Sequence, residues 1–307
     1  MAPGAHGAAR RPGRLTMSTL EWSPTTEEDI ASLVRLGQAC LERDGGLPDL
    51  ADPQHLRDGY LTDLSICGRD ELGDIVAAAA IGISADGTRT ATGLIDPAAM
   101  GQGIGQEIAD WVIGHSVGPV RFVLDSVSPE AETLFAELGL HRGFAESIMR
   151  HSLRSIPFVR RPEDIVTLPF TDDTSEAFRH AYAASFGDRP GYTAGSSRAW
   201  GRWLREQRGF QPEDSRVAMD RSGHVSGFVT LSDGWIEEVG VVPEWRGHRL
   251  GAHLVARSLT ALQRAGADEV WLAVGCDNPA RSLYERLGFR GHGTRAQYEQ
   301  PTISEGS

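Results

Sequence analysis

The sequence predicts a mixed α/β fold written twice in tandem, and three observations carry that expectation. The chain has 307 residues, enough for two domains of ordinary size. Each half contains a strand-like run that ends in a glycine-rich turn and opens into a helical pattern. These two stretches, Thr92–Gly105 and Glu238–Gly251, align without a gap at an offset of 146, setting Pro97 on Pro243, Gly101 on Gly247 and Gly105 on Gly251. Farther on, Pro129–Gly139 and Asn278–Gly288 repeat at an offset of 149. Two short similarities in the same order and at nearly one separation imply duplication of a whole unit.

Element by element, period-2 patterns predict strands in the first repeat at about 19–24, 62–69, 74–83, 89–95 and 120–125. Helical spacing covers about 27–40, 104–115 and 129–138. The second repeat reads alike. Glu163–Phe170 alternates as a strand, and Ser175–Ser185 and Ser196–Gln207 read as helices. Arg216–Arg221, Val225–Leu231 and Trp235–Val242 form a β-branched meander. Leu250, Leu254, Leu259 and Leu262 recur near helical spacing up to Gly266. A short buried strand at Glu269–Val274 and a helix at Pro279–Leu287, stopped by Gly288, complete the repeat. The expected domains are 17–155 and 163–301, joined by a proline- and arginine-rich linker at 156–162. Residues 1–16 read as a disordered tail or as sequence upstream of a true start at Met17, and 302–307 as a second tail.

Composition narrows the partners. All 30 basic residues are arginines, and 42 acidic residues leave a net charge of −12. That balance argues against binding a nucleic-acid backbone. No apolar run approaches the ~18 residues of a membrane span. Three scattered cysteines, Cys40, Cys67 and Cys276, form neither a disulfide framework nor a zinc site, so a reducing cytoplasm and no metal are expected. The absence of lysine suggests a GC-rich, actinobacterial genome. A monomer or homodimer is equally compatible with these features.

The turn Arg246-Gly-His-Arg-Leu-Gly251 has a physical use. A strand that runs through it into a helix aims several main-chain N–H groups one way, and the helix start adds partial positive charge. Glycine admits a diphosphate close to the backbone. Neither turn carries the dinucleotide fingerprint or the Gly-Lys-Ser/Thr of a nucleotide-binding P-loop.

The stretch Val241-Val-Pro-Glu-Trp-Arg-Gly-His-Arg-Leu-Gly251, followed by Asn278-Pro-Ala-Arg-Ser-Leu-Tyr-Glu-Arg-Leu-Gly-Phe289, resembles the GNAT superfamily of acyl-CoA-dependent N-acyltransferases. The resemblance recurs in each half and is similar to the tandem, mycothiol-synthase-like arrangement of that superfamily. It implies acetyl-CoA as cosubstrate, held by Arg246, Gly247, His248, Arg249, Leu250, Gly251 and Ala252, by Asn278, and by main-chain groups of Val239, Gly240 and Val241. In the first repeat the corresponding residues are Leu94, Ile95, Met100, Gly101, Gln102, Gly103, Ile104 and Gly105, so a second, structural acetyl-CoA is an open alternative there. Two features depart from the family pattern. Arg249 replaces the middle glycine of the loop, which predicts a turn with negative φ, and Asn278 lies six rather than seven residues before Tyr284.

Acyl transfer to an amine needs a proton acceptor, a group that holds developing charge on oxygen, and a proton donor for the departing thiolate. Alternation along Trp235–Val242 puts Trp235, Glu237, Val239 and Val241 on one face and Glu238 on the other. The resemblance makes that first face the acceptor side, Glu237 the base and Tyr284 the acid. In the first repeat these two positions hold Ala91 and Phe135, so the chemistry is expected in the second repeat only. Asp188, Tyr192 and Trp235 are the expected contacts to a small amine, with Trp200 and Trp203 nearby. Direct attack in a ternary complex is favoured over a covalent step at Cys276. Two other functions remain open: mycothiol synthesis itself, and a non-catalytic acyl-CoA binder or sensor.

Overall fold

Alternating apolar residues in the strands and one-sided apolar helices build two units, seen in a computed structural model that describes residues 20–84, 87–187 and 197–300. One unit comprises residues 1–145 with 294–307, and the other comprises 146–293.

In unit 1, β1 (Glu21–Ser23) precedes α1 (Ile30–Asp44) and α2 (Pro53–Tyr60). Then follow β2 (Leu64–Arg69), β3 (Ile75–Ile83), β4 (Arg89–Ile95), α3 (Ile104–His115), β5 (Val120–Leu124) and α4 (Pro129–Glu137). Strands β1 to β4 pair antiparallel in sequence order, and β5 then joins β4 in parallel. The alanine-rich β3 is buried on both faces: Ala78 and Ala80 meet the α1 side, while Ala77 and Ala79 belong to the cluster of Ile104, Ile108 and Val112 from α3. Helix α2 was not expected from the sequence. Proline at its first position and the Asp52 carboxylate, which accepts the N–H groups of Gln54 and His55 at 2.9 Å, start it locally.

Unit 2 runs from within β6 (His141–His151) through β7 (Ile165–Pro169), α5 (Ser175–Phe186), α6 (Ser197–Glu206) and β8 (Arg216–Asp220). It continues with β9 (Val225–Ser232), β10 (Trp235–Val241), α7 (Leu250–Arg264), β11 (Val270–Gly275), α8 (Arg281–Arg286) and the first residues of β12 (Arg290–Glu299). Strands β7 to β10 form the antiparallel meander. Helix α7 buries Leu250, Leu254, Val255, Leu259 and Leu262 in a cluster that includes Ile236 of β10 and also takes in Val239 and Val241. Phe178, Ala181 and Phe186 of α5 cluster with Phe228 of β9.

The strands of each unit are completed by a strand from the other repeat of the chain. The last six residues of β6 pair antiparallel with β11, from Val270 opposite His151 to Gly275 opposite Glu146. Conversely, β12 pairs antiparallel with β5 through Ala296–Leu124, Gln297–Val123 and Tyr298–Phe122. The Tyr298 ring lies 4.6 Å from that of Phe135. Neither 141–151 nor 290–299 was read as a strand from sequence, and a division into the consecutive blocks 17–155 and 163–301 contains no such exchange.

Candidate active site

The candidate site forms where two neighbouring parallel strands part. Strands β10 and β11 share a register pair only at Trp235–Trp271. Beyond it, the edge of β10 that faces away from β9 is open. The Val242 N–H donates to the Ser226 carbonyl across β9, so alternation turns the main-chain groups of Val239 and Val241 toward the opening. In unit 1, β4 and β5 pair at Arg89, Thr90 and Ala91 before they part likewise.

At the mouth of the unit 2 opening, a short 3₁₀ turn at Pro243–Trp245 delivers the chain to the loop and α7. Gly247 has φ +82°, and a Cβ there would meet nothing within 4 Å, so this glycine faces open space. Arg249 corrects the expectation of a negative φ. It caps α7 in the left-handed region, at φ 62°, at a cost of roughly 1–2 kcal/mol. The loop therefore turns the same corner that Gly103 turns in unit 1, at φ +89°, with an arginine in place of the glycine. The first helical bond of α7 runs from the His253 N–H to the Arg249 carbonyl. The N–H groups of Leu250, Gly251 and Ala252 precede it and emerge from the helix end without a helical acceptor. Such a donor set, beside Arg246 and Arg249, fits a diphosphate. The loop from Arg246 to Ala252 lines a cleft of about 750 Å³ together with Val241, Leu283 and Arg286.

A one-residue bulge between Ile236 and Glu238 changes which side chains share a face. Ile236, Val239 and Val241 all join the α7-side cluster. Gly240 faces α5, because a Cβ on it would lie 2.4 Å from the Phe228 ring and 2.7 Å from Ser185 Cβ. Glu238 pairs with Thr230, two residues from Phe228, and so lies on the same side as Gly240. The Ser232 hydroxyl, two residues further along that face of β9, bonds the Glu237 carboxylate. Both carboxylates thus belong to the α5 face, whereas strict alternation had sent Glu238 to the opposite side and had kept Val239 and Val241 with Glu237. In unit 1, β4 pairs with β3 over seven consecutive residues with no such shift, and the aligned positions hold Ala91 and Thr92.

The other expected residues are spread around this centre. Tyr284 is buried, 9 % exposed, in the α7-side cluster with its ring 6.0 Å from that of Phe289. Asn278 accepts the Ala280 N–H at 2.9 Å and shapes the turn into α8 rather than lining the cleft. Trp235 stands 6.2 Å from Trp271 at the start of β10. Cys276 is half-buried just beyond β11. Asp188 and Tyr192 lie outside the described residues, as does the side chain of Trp200. In unit 1, Leu94, Ile95, Met100, Gly101, Gly103, Ile104 and Gly105 line a cleft of about 320 Å³, and Gln102 does not. That lining carries Asp44, Glu130 and Glu137 and no basic residue. Sequence reasoning missed Glu238 and the part of the inter-repeat segment that lines the unit 2 cleft, Phe158–Glu163. The unusual pair of arginines beside Pro162 was the available signal for the latter.

Strands β10 and β11 part beside a glycine-containing turn that opens a helix, and comparison with known proteins gives the fold its family. The model of the acetyltransferase (GNAT) family matches residues 172–289. The mycothiol acetyltransferase of Clavibacter sepedonicus is 30% identical over 225 residues, covering 67% of this chain and 71% of that protein. A GCN5-related N-acetyltransferase structure from Sphaerobacter thermophilus superposes with a TM-score of 0.74 at 23% identity, covering 94% of this chain and 98% of the other. A tandem GNAT protein from the clavulanic acid biosynthesis pathway gives a TM-score of 0.61 at 16% identity, with 91% and 98% covered. The chain belongs to the GNAT acetyltransferase family. It is an acetyltransferase, and the family model falls within its second repeat. Among the described residues no helix is long and apolar enough to cross a membrane, and no group of three or more His, Cys, Asp or Glu residues is placed to hold a metal ion.

Proposed function

We propose that the protein transfers the acetyl group of acetyl-CoA to the primary amine of a small molecule, by direct attack in a ternary complex, with the chemistry in unit 2. The observation that carries this reading is the parting of β10 from β11 on the strand that leads into the 246–252 loop, with two carboxylates on the α5 face of that strand. When bound, the thioester supplies the activated acyl group. The N–H groups of Leu250, Gly251 and Ala252, with Arg249, neutralise the diphosphate. Main-chain N–H groups of Val239 and Val241 on the open edge of β10 are the donors available to charge developing on the acyl oxygen. Glu237, oriented by Ser232, accepts the ammonium proton directly or through a water, and Glu238 beside it holds the cation in place. Tyr284, in the α7-side cluster, is the proposed donor of a proton to the thiolate. Asp188, Tyr192 and Trp235 remain the proposed acceptor contacts.

Unit 1 keeps the loop but presents Ala91 and Phe135 where unit 2 has Glu237 and Tyr284, and we assign it a structural or coenzyme-holding role. Its cleft offers the N–H groups at the start of α3 and a lining that includes Asp44, Glu130 and Glu137, the first two paired with Arg43. The test is release of free thiol from acetyl-CoA across a panel of small amines. Turnover with at least one amine supports the reading, and no thiol above background with any of them favours a non-catalytic acyl-CoA binder. The likeness to a mycothiol acetyltransferase supports a second, narrower reading, mycothiol synthesis, which predicts rapid turnover with cysteinyl-glucosaminyl-inositol above all other amines.

A further inference from the structure

The segment that joins the repeats forms part of the wall of the unit 2 cleft, and it brings arginines with it. Arg160 and Arg161 line the same cleft as Arg246, Arg249 and Arg286, against one lining carboxylate, Glu163. Five arginines along one cleft are a local reversal of a chain that carries a net charge of −12. Like charges gathered this closely repel one another unless an anion sits among them. The unit 1 cleft has no arginine in its lining; its carboxylates are Asp44, Glu130 and Glu137, and Arg43 pairs with the first two from outside that lining.

A diphosphate at the loop does not use all of these groups. The N–H groups at the start of α7 and Arg249 lie at the loop itself, and Arg246 is turned back onto the protein. Its Nη2 donates to the Ser185 carbonyl at 3.1 Å and its Nε to the Val241 carbonyl at 3.3 Å. Arg160 and Arg161 come from a different part of the chain. Arg160 pairs with Glu163 at 2.7 Å, but the two side chains are 77 % and 74 % exposed, and such a pair contributes little and exchanges readily. Arg161 gives one Nη1 contact to the Ile165 carbonyl, which leaves its other N–H groups for a ligand. The backbone that presents them is anchored to α7. The imidazole of His253 bonds the Val159 carbonyl at 2.9 Å, and Gln263 Nε2 donates to the Leu153 carbonyl at 2.8 Å.

We propose that Arg160 and Arg161 form a phosphomonoester subsite that recognises the 3′-phosphate on the ribose of coenzyme A. The inference rests on the reading of this cleft as the coenzyme A seat. Guanidinium forks suit a phosphomonoester because they meet it through paired, charge-assisted hydrogen bonds. The inter-repeat segment is then a specificity element for the cosubstrate, and the cleft distinguishes coenzyme A from its 3′-dephospho form.

The test titrates the full-length protein with coenzyme A and with 3′-dephospho-coenzyme A, followed by calorimetry. The wild type is expected to bind coenzyme A roughly tenfold or more tighter than the dephospho form. Arg160→Ala with Arg161→Ala should bring that ratio toward one by weakening coenzyme A alone. Arg160→Glu should lower the ratio as well, and since its side chain is exposed, it decides the matter if the double variant fails to fold. Equal affinities in the wild type, or an unchanged ratio in the variants, overturn the subsite while leaving the cleft as the coenzyme A seat. A wild type that binds neither nucleotide overturns that seat and the subsite with it.

Discussion

Ser232 donates its hydroxyl to the carboxylate of Glu237 across the bulge of β10, and that bond shows which way the extra residue of the strand points. Glu237 lies with Ser232 on the α5 face, and Glu238, opposite Thr230, lies there too. Glu237→Gln should lower kcat by about 10²-fold or more, the usual scale for losing a general base. Glu238→Gln should act chiefly on the KM for the amine. Steady-state kinetics with a working acceptor separate the two, and an undiminished kcat in Glu237→Gln would remove that residue from the chemistry.

Gly240 allows α5 to lie directly against β10. A methyl group at this position would stand 2.4 Å from the Phe228 ring and 2.7 Å from Ser185. Gly240→Ala should therefore destabilise the protein by about 2 kcal/mol, the scale of an overpacked core. Urea unfolding gives the value directly, and a wild-type midpoint would mean that α5 shifts aside without cost.

His151 joins the end of β6 to α8. Its Nδ1 accepts the Leu153 N–H at 3.0 Å, which leaves Nε2–H to donate to the Leu287 carbonyl at 3.1 Å. The ring is thus held neutral, and burial pushes its pKa below the ordinary 6.5 despite the opposing bond to Leu287. Below pH 6.5 the unfolded chain takes up a proton that the folded chain resists. Stability from this group is therefore complete above about pH 6.5 and is lost as pH falls through the folded pKa. Urea midpoints between pH 7.5 and 5 should decline, and His151→Gln should flatten that decline. An equal slope in the variant would assign the effect to other groups.

The loop can be closed by a side chain. A Cβ on Gly251 would meet Val241 and Leu283 at 3.4 and 3.6 Å, so alanine fits while a larger group projects into the cleft. Gly251→Trp should abolish the rise in melting temperature that acetyl-CoA produces through unit 2, whereas Gly251→Ala should keep most of it. Thermal scans with and without acetyl-CoA read this out. A full shift in Gly251→Trp would place the nucleotide elsewhere.

The exchanged strands predict how the protein can be cut. A fragment ending at residue 155 leaves β5 without β12, and a fragment beginning at 163 leaves β11 without β6. Each fragment alone bares a buried strand edge and should aggregate, whereas co-expression should recover a soluble pair. A monomeric, soluble 163–307 fragment that binds acetyl-CoA with wild-type affinity would contradict this.

Much of the molecule was legible without its structure, because the signals are local. The repeat at offsets 146 and 149 revealed the duplication, and the leucines of α7 announced their buried face. The 246–251 turn showed its glycines and its place before a helix, the features from which anion binding is proposed. The strands β6 and β12 were not visible, since His141–His151 and Arg290–Glu299 are polar and lack clear alternation. They are strands because β11 and β5 offer edges to pair with. The inter-repeat arginines were read as a linker, because nothing in a sequence records which cleft a connecting segment borders.

Local order along the chain thus determined the family, the two repeats, the loop and the loss of Glu237 and Tyr284 counterparts in the first half. Tertiary structure alone decided the strand exchange, the shared face of Glu237 and Glu238, and the arginine-rich wall of the unit 2 cleft. The physical reason is range. Helix caps, glycine turns and side-chain periodicity depend on neighbours a few residues away, whereas strand register, bulges and cleft walls are set by partners far along the chain.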